Sequence, residues 1–167
     1  MSEGLALSGW NDFFLGELGA AAALAGLLFV SVSVNQERIL ALSRMADRGI
    51  EALAMLLLVV VVASLPLVPG QPLRWLGGEI LAAGLATFLG LVPLQRAYLR
   101  QVDPVHRRSS ARMVAVNRLA MAVIALGGLA MVWTGDGRGA YLLPPGVLLT
   151  FFAVGVNAWV LLIEINR

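Results

Sequence analysis

The chain has 167 residues, of which 59% are hydrophobic and only 13% are charged. Soluble domains carry about 25% charged residues, so the composition predicts a protein surrounded by a lipid bilayer and argues against a nucleic-acid partner. The absence of cysteine and the presence of one histidine exclude disulfides, thiolate metal sites and a bis-histidine haem within one chain. We expect no metal and no cofactor.

The first predicted span covers residues 13–34, long enough at 1.5 Å per residue to cross a hydrocarbon core of about 30 Å. Small residues recur along it at helical spacing, and small side chains let membrane helices approach closely. The packing positions predicted here are Gly19, Ala23 and Gly26. We expect this span to be central, and to be retained because residues 1–12 lack the basic start of a signal peptide.

A short amphipathic cytoplasmic helix is predicted over residues 36–49, either extending the first span or lying on the membrane surface. The second span covers residues 50–68. Its core, LLLVVVVA, has no polar face, which predicts a helix turned toward lipid. A turn rich in proline and glycine, residues 66–72, ends the span.

The third span covers residues 75–94 and ends near Pro93, which predicts a kink or a helix end. It carries a second set of small residues at i+4 spacing, and these predicted packing positions are Ala82, Ala86 and Gly90. A polar loop is predicted over residues 95–112. Its arginines set the topology, or its Arg96–Arg112 segment binds anionic lipids or an acidic partner.

The fourth and fifth spans cover residues 113–133 and 141–163, on either side of the turn TGDGRGA. Together these patterns predict one domain, residues 1–167, with an all-α fold. That fold is an integral membrane bundle of five transmembrane helices, in which spans one and three supply the small-residue ridges.

Arginine placement predicts the orientation of the chain. Of the twelve basic residues, all arginine, ten fall on one side of the five spans and two, Arg74 and Arg138, fall on the other. Cytoplasmic loops carry the excess of arginine and lysine, so we expect the N-terminus outside and the C-terminus in the cytoplasm. A bacterial inner membrane is the setting that fits a compact multipass design.

Three polar residues inside the spans are candidates for an ion or proton site. Glu17 and Glu79 each lie about one turn inside a span at the outer side, where two carboxyl groups can share a cation or a proton. The alternative is a hydrated position near the headgroups, or pairing with arginine. Asn157 lies nearest the middle of its span and either lines a pore or bonds a neighbouring helix.

A second group of polar residues is expected at the cytoplasmic side. Its members end or begin spans on that side and are Asn35, Glu51, Asn117 and Arg118. One interpretation is a ligand-binding or gating cluster. The other is interhelical hydrogen bonding, with the long arginine side chain reaching the headgroups.

Catalytic motifs such as GxSxG, HExxH and the phosphate-binding glycine loop are absent from the sequence, which predicts that the protein is not an enzyme. Two functions stay open. One is an accessory or assembly subunit that binds itself or another membrane protein. The other is a homo-oligomeric channel or transporter that uses Glu17, Glu79 and Asn157.

The run ELGAAAALAGLLFVSVSVN, residues 17–35, carries a resemblance to a known family. It is similar to the first span of a family of small, largely uncharacterised bacterial multipass inner-membrane proteins, and the similarity continues into the proline-rich LPLVPGQP, residues 65–72. Such proteins are sometimes described as modulators of a membrane-bound protease. The resemblance implies an accessory role and brings no catalytic residues with it.

Overall fold

The computed structural model describes residues 7–34 and 43–165, and within these ranges the only regular secondary structure is helical, without a β-strand. Five long helices follow one another: α1 (Asn11–Val34), α2 (Ser43–Ser64), α3 (Leu73–Gln101), α4 (Arg107–Thr134) and α5 (Leu143–Ile165). Each carries an apolar stretch long enough to cross a membrane. The prediction of an all-α bundle with five membrane-spanning helices is therefore confirmed.

Short 3₁₀ segments precede α1, follow α2 and precede α5, at Leu7–Trp10, Leu65–Leu67 and Gly137–Leu142. The amphipathic helix predicted over residues 36–49 lies outside the described residues up to residue 42. From Ser43 onward the chain already belongs to α2.

The third and fourth helices are longer than their predicted spans, with 29 residues in α3 and 28 in α4. Most of the predicted polar loop is therefore helical, and only residues 102–106 connect the two helices. Pro93 lies inside α3 instead of ending it. The helix continues because Gln95 and Tyr98, both beyond the proline, are buried in the bundle and hold the last turns in place.

The second helix lies at the centre of the bundle. It packs against α1, α3 and α5, and seven of its apolar side chains are buried, namely Ala52, Met55, Leu56, Leu58, Val59, Val62 and Ala63. The prediction that this span faces lipid is wrong. A uniformly apolar helix suits lipid and protein interior equally, and here its aliphatic side chains fill the core between three neighbours.

The first helix is peripheral, contrary to the expectation of a central position. It packs mainly against α2, and its buried side chains are limited to one line at seven-residue spacing, Phe14, Ala21 and Leu28. Near its start, Trp10 stacks against Phe14 and meets the ring of Tyr141 edge-on, with 4.9 Å between the Trp10 and Tyr141 ring centroids. These aromatic contacts hold the beginning of α1 beside the segment that leads into α5.

Glycine brings α3 and α4 into their closest contact. A Cβ atom added to Gly128 would lie 2.5 Å from the backbone nitrogen of Leu81 and 2.7 Å from the carbonyl oxygen of Gly77. One added to Gly84 would lie 3.1 Å from the Cβ of Ala125. Backbone therefore meets backbone along this crossing, as in small-residue contacts between membrane helices.

The predicted packing residues do not form such contacts within the chain. All six are exposed, and they are Gly19, Ala23, Gly26, Ala82, Ala86 and Gly90. A Cβ atom added to any of the three glycines would meet nothing within 4 Å. At 100° per residue these positions lie across their helices from the buried lines of α1 and α3, so the sequence spacing identified real stripes that the rest of the chain does not cover.

The turn between α4 and α5 is fixed by local hydrogen bonds. Gly135 takes the left-handed conformation, with φ of 71°, and donates its N–H to Met131, which closes α4. The Asp136 carboxylate then accepts the N–H of Arg138 at 2.9 Å and the hydroxyl of Thr134 at 2.8 Å. These bonds hold the pKa of the Asp136 carboxyl below its ordinary value, the backbone N–H contributing most.

Candidate functional site

The described part of the bundle buries polar side chains at one end, where α2 and α4 begin and α3 and α5 end; we call this the arginine-rich end. Glu51 of α2, Gln95 of α3 and Asn117 of α4 are only 6%, 1% and 0% exposed. Gln95 Nε2 donates to Glu51 Oε1 at 2.6 Å, and Asn117 Nδ2 donates to the same oxygen at 2.7 Å. One carboxylate oxygen thus joins three helices.

Arg118 extends this group without touching the carboxylate. Its Nε donates to Gln95 Oε1 at 2.7 Å. Because a guanidinium can only donate, the oxygen of the Gln95 amide must face Arg118 and its nitrogen must face Glu51. Gln95 therefore links a cation to an acid, and we call Glu51, Gln95, Asn117 and Arg118 the carboxyl cluster.

A second set of contacts lies one helical turn nearer the start of α2. Arg48 Nη2 donates to Asn157 Oδ1 of α5 at 2.8 Å, and its guanidinium lies over the ring of Tyr98, 5.6 Å from the centroid. The Tyr98 hydroxyl in turn meets Ser110 Oγ at 3.2 Å. These contacts tie α5 to the helices that carry the carboxyl cluster.

Among the described residues, neither arginine has a carboxylate partner. Among the residues that the structure describes, the only ion pair joins Arg138 to Asp136 in the turn before α5, at 3.3 Å. Arg48 is held by an amide oxygen and an aromatic face, and Arg118 by an amide oxygen. The cluster is thus built from hydrogen bonds through neutral amides, with charges of both signs kept more than 4 Å apart.

Two buried amide atoms in this region have no hydrogen-bond partner. They are Oδ1 of Asn117 and Nδ2 of Asn157, and both side chains are at most 1% exposed. An unpaired buried polar group costs about 1–3 kcal/mol. This region therefore offers one unpaired acceptor, Asn117 Oδ1, and one unpaired donor, Asn157 Nδ2, to a bound group.

The structure brings together most of the polar group expected at this end. Glu51 and Asn117 are directly hydrogen-bonded, and Arg118 joins them through Gln95. Asn35 lies outside the described residues.

Sequence reasoning missed Gln95 by assigning it to the loop. The available signal was its position on one face of α3, at helical spacing from Leu91 and Tyr98, both buried.

Glu17, Glu79 and Asn157 do not form one site. Asn157 bonds Arg48 at the arginine-rich end, whereas Glu17 and Glu79 lie in the early turns of α1 and α3, near the opposite end. Glu79 is exposed and accepts a hydrogen bond from Gln71. Glu17 is half-buried, and its Oε2 has no hydrogen-bond partner. Among the described residues, no hydrogen bond joins the two glutamates to each other or to Asn157.

The described residues contain no group of three or more histidine, aspartate or glutamate side chains that could hold a metal ion. The hydrogen bonds described above at the arginine-rich end involve one acid, Glu51, together with two arginines and three amides. Comparison with protein-family models, with curated proteins and with solved structures gives no match.

Proposed function

We propose that the chain is a non-enzymatic inner-membrane subunit that assembles with itself or with another membrane protein through the small-residue stripes of α1 and α3. The observation that carries this proposal is the position of the stripes. They lie on the exposed sides of helices whose opposite sides already pack into the bundle. A second helix can approach such a stripe closely, because no long side chain keeps the backbones apart.

The proposal extends to the membrane and its orientation. The arginine excess supports a C-terminus in the cytoplasm, with the arginine-rich end at the inner leaflet of a bacterial inner membrane. Five exposed arginines at the ends of α3 and α4 then face anionic lipid headgroups, namely Arg96, Arg100, Arg107, Arg108 and Arg112. The resemblance of residues 17–35 to small multipass proteins with accessory roles agrees with this reading.

A homo-oligomeric channel or transporter is the second candidate. It rests on the acid buried in a membrane-spanning helix, since ionisable residues in such positions are costly and commonly functional. Glu51 meets that description with 6% exposure. Glu17, Glu79 and Asn157 serve this candidate less well as a set, because Asn157 lies at the arginine-rich end and the two glutamates lie near the opposite end.

Photo-crosslinking from the stripe tests the assembly proposal. We expect a photoreactive residue at Ala23 to give protein adducts in membranes, and we expect Gly19→Leu with Gly26→Leu to reduce those adducts at least about tenfold, equivalent to about 1.4 kcal/mol. Leucine there blocks a close approach without disturbing the bundle, because a Cβ at either glycine meets nothing within 4 Å.

The matched control is Ala22→Leu, which adds comparable bulk at an exposed position of α1 beside the stripe. Adduct yield should survive that change. An absence of protein adducts at Ala23 would show that lipid covers this face. An undiminished yield in the double leucine variant would show that no helix packs closely on the stripe. Either result would overturn the proposal.

A further inference from the structure

The two oxygens of the Glu51 carboxyl group have different surroundings. Both N–H donors that reach it, from Gln95 and Asn117, converge on Oε1. Among the described residues, no donor reaches Oε2. In a carboxylic acid the carbonyl oxygen accepts and the hydroxyl oxygen donates, so this division matches an acid with its proton on Oε2.

Asn117 has the donor and the acceptor that a protonated Glu51 needs. An amide and a carboxylic acid pair in both directions: the amide N–H donates to the acid carbonyl, and the acid hydroxyl donates to the amide oxygen. Asn117 Nδ2 already donates to Glu51 Oε1 at 2.7 Å. Its Oδ1 is buried and has no donor. A proton on Glu51 Oε2 is the donor that this oxygen lacks.

We propose that Glu51 is a proton-binding site inside the membrane, in which the proton sits on Oε2 and is donated to Asn117 Oδ1. Binding is simple proton transfer from water: the carboxylate gains a proton and becomes a neutral acid, and release returns it. This site goes beyond the assembly role proposed above, because Glu51 and Asn117 belong to neither small-residue stripe and proton binding is a separate activity.

The orientation of both amides supports the assignment. Gln95 cannot turn its oxygen toward Glu51, because that oxygen accepts the Nε–H of Arg118 at 2.7 Å. Its nitrogen therefore keeps Oε1 in the acceptor role. With Oε1 accepting from two amides, the proton is left to Oε2, beside the amide whose oxygen is unused.

Among the residues that the structure describes, no charged group forms a direct ion pair with Glu51. From α3 it meets the neutral Gln95, and from α4 it meets Asn117, while the charge of Arg118 reaches it only through Gln95. On its own helix, Asp47 and Arg48 lie one turn away, with Arg48 engaged by Asn157.

From α5, Asn157 is held by Arg48 and is itself neutral. The described part of α1 carries charge only at Asp12 and Glu17, near the opposite end. A buried ionised carboxylate without a cation within 4 Å is costly in a membrane, and a bound proton removes that cost.

The site is reachable from the arginine-rich end. Glu51 is the ninth residue of α2, about 12 Å along the axis from its start at 1.5 Å per residue, and it keeps 6% exposure. Protons therefore exchange with the aqueous phase on that side. Release leaves a carboxylate beside the unpaired oxygen of Asn117, and two acceptors repel one another, so proton occupancy and the contact between α2 and α4 are coupled.

Infrared difference spectroscopy of the full chain in lipid tests the site. At about pH 7, the wild type minus Glu51→Gln difference should contain the C=O stretch of a protonated carboxylic acid. That band should shift in Asn117→Leu, which removes both the acceptor of the acid hydroxyl and the N–H that donates to the acid carbonyl. Glu79→Gln is the matched control: Glu79 is exposed, and its removal should leave the acid band in place.

Thermal unfolding gives an independent readout. Glutamine at position 51 mimics the protonated acid, because its oxygen accepts from Gln95 while its nitrogen donates to Asn117 Oδ1. Glu51→Gln should therefore keep the wild-type midpoint, whereas Glu51→Ala should lower it by roughly 5 °C. A carboxylate signature for Glu51 at every pH tested, or equal losses in Glu51→Gln and Glu51→Ala, would overturn the proposal.

Discussion

Replacing Gly77 with valine is expected to destabilise the bundle by about 4 kcal/mol, at the upper end of single-residue effects. The Cβ position at Gly77 lies 2.7 Å from the Met131 Cβ, 2.8 Å from the Gly128 carbonyl oxygen and 2.9 Å from the Val132 nitrogen. Two of these three atoms are backbone. Neither helix can move away locally, so the added carbon must separate α3 from α4 along their whole crossing.

The neighbouring residue provides the control. Gly78 is the next residue of α3, yet a Cβ there meets nothing within 4 Å. Gly78→Val should change stability by less than about 0.5 kcal/mol. Reversible unfolding in mixed micelles measures both variants under one condition. Similar stabilities for the two valine variants would mean that the close α3–α4 crossing does not exist.

Replacing Gln95 with leucine is expected to cost about 3–5 kcal/mol. The side chain is 1% exposed and uses both ends, accepting from Arg118 and donating to Glu51. Leucine has similar volume but no polar atoms, so the Arg118 Nε–H loses its acceptor and the Glu51 carboxyl loses one of two donors. The guanidinium then remains inside the bundle without a partner.

Gln71→Leu is the matched control for this prediction, because Gln71 also donates to a glutamate, the exposed Glu79. Water replaces that bond readily, so the loss should stay below about 1 kcal/mol. The measurement is again unfolding in mixed micelles. Equal losses in the two leucine variants would show that the carboxyl cluster is not sealed from water.

Hydropathy was enough to predict the number and rough positions of the helices. It failed at helix ends in the polar region, because Arg96, Arg100 and Arg107 look like loop residues in sequence. In the structure they project from exposed sides of α3 and α4, whose opposite sides bury Gln95 and Tyr98. The density of charged residues therefore predicted correctly that these side chains are exposed. It was misleading about the backbone, because it indicated a loop where the chain is helical.

Hydropathy could not predict which helices, or which of their faces, are buried inside the bundle. Lipid and protein interior are equally apolar, so the valine run of α2 carries no information about which of the two it meets. Small residues were equally ambiguous. Gly77 and Gly128 mark an internal crossing, whereas Gly19 and Gly26 mark an open face, and the spacing of glycines in sequence does not separate these cases.

Part of the carboxyl cluster was predictable, because buried polar residues on neighbouring membrane helices tend to bond one another. That reasoning paired Glu51 with Asn117 and Arg118. Two further contacts could not be predicted, namely the bridge through Gln95 and the bond of Arg48 to Asn157. They depend on how far α2, α3 and α5 are shifted along their axes relative to one another, and the residue pattern of one helix does not contain that information.

The most direct test of the central feature, a carboxyl group joined to Asn117 inside the membrane, is a double-mutant cycle. Unfolding free energies are measured for the wild type, Glu51→Ala, Asn117→Ala and the double variant. A direct bond of 2.7 Å between the two side chains predicts a coupling energy of about 1–2 kcal/mol. The account is contradicted if the two single-variant losses sum to the loss of the double variant within about 0.3 kcal/mol, because residues that do not touch behave independently.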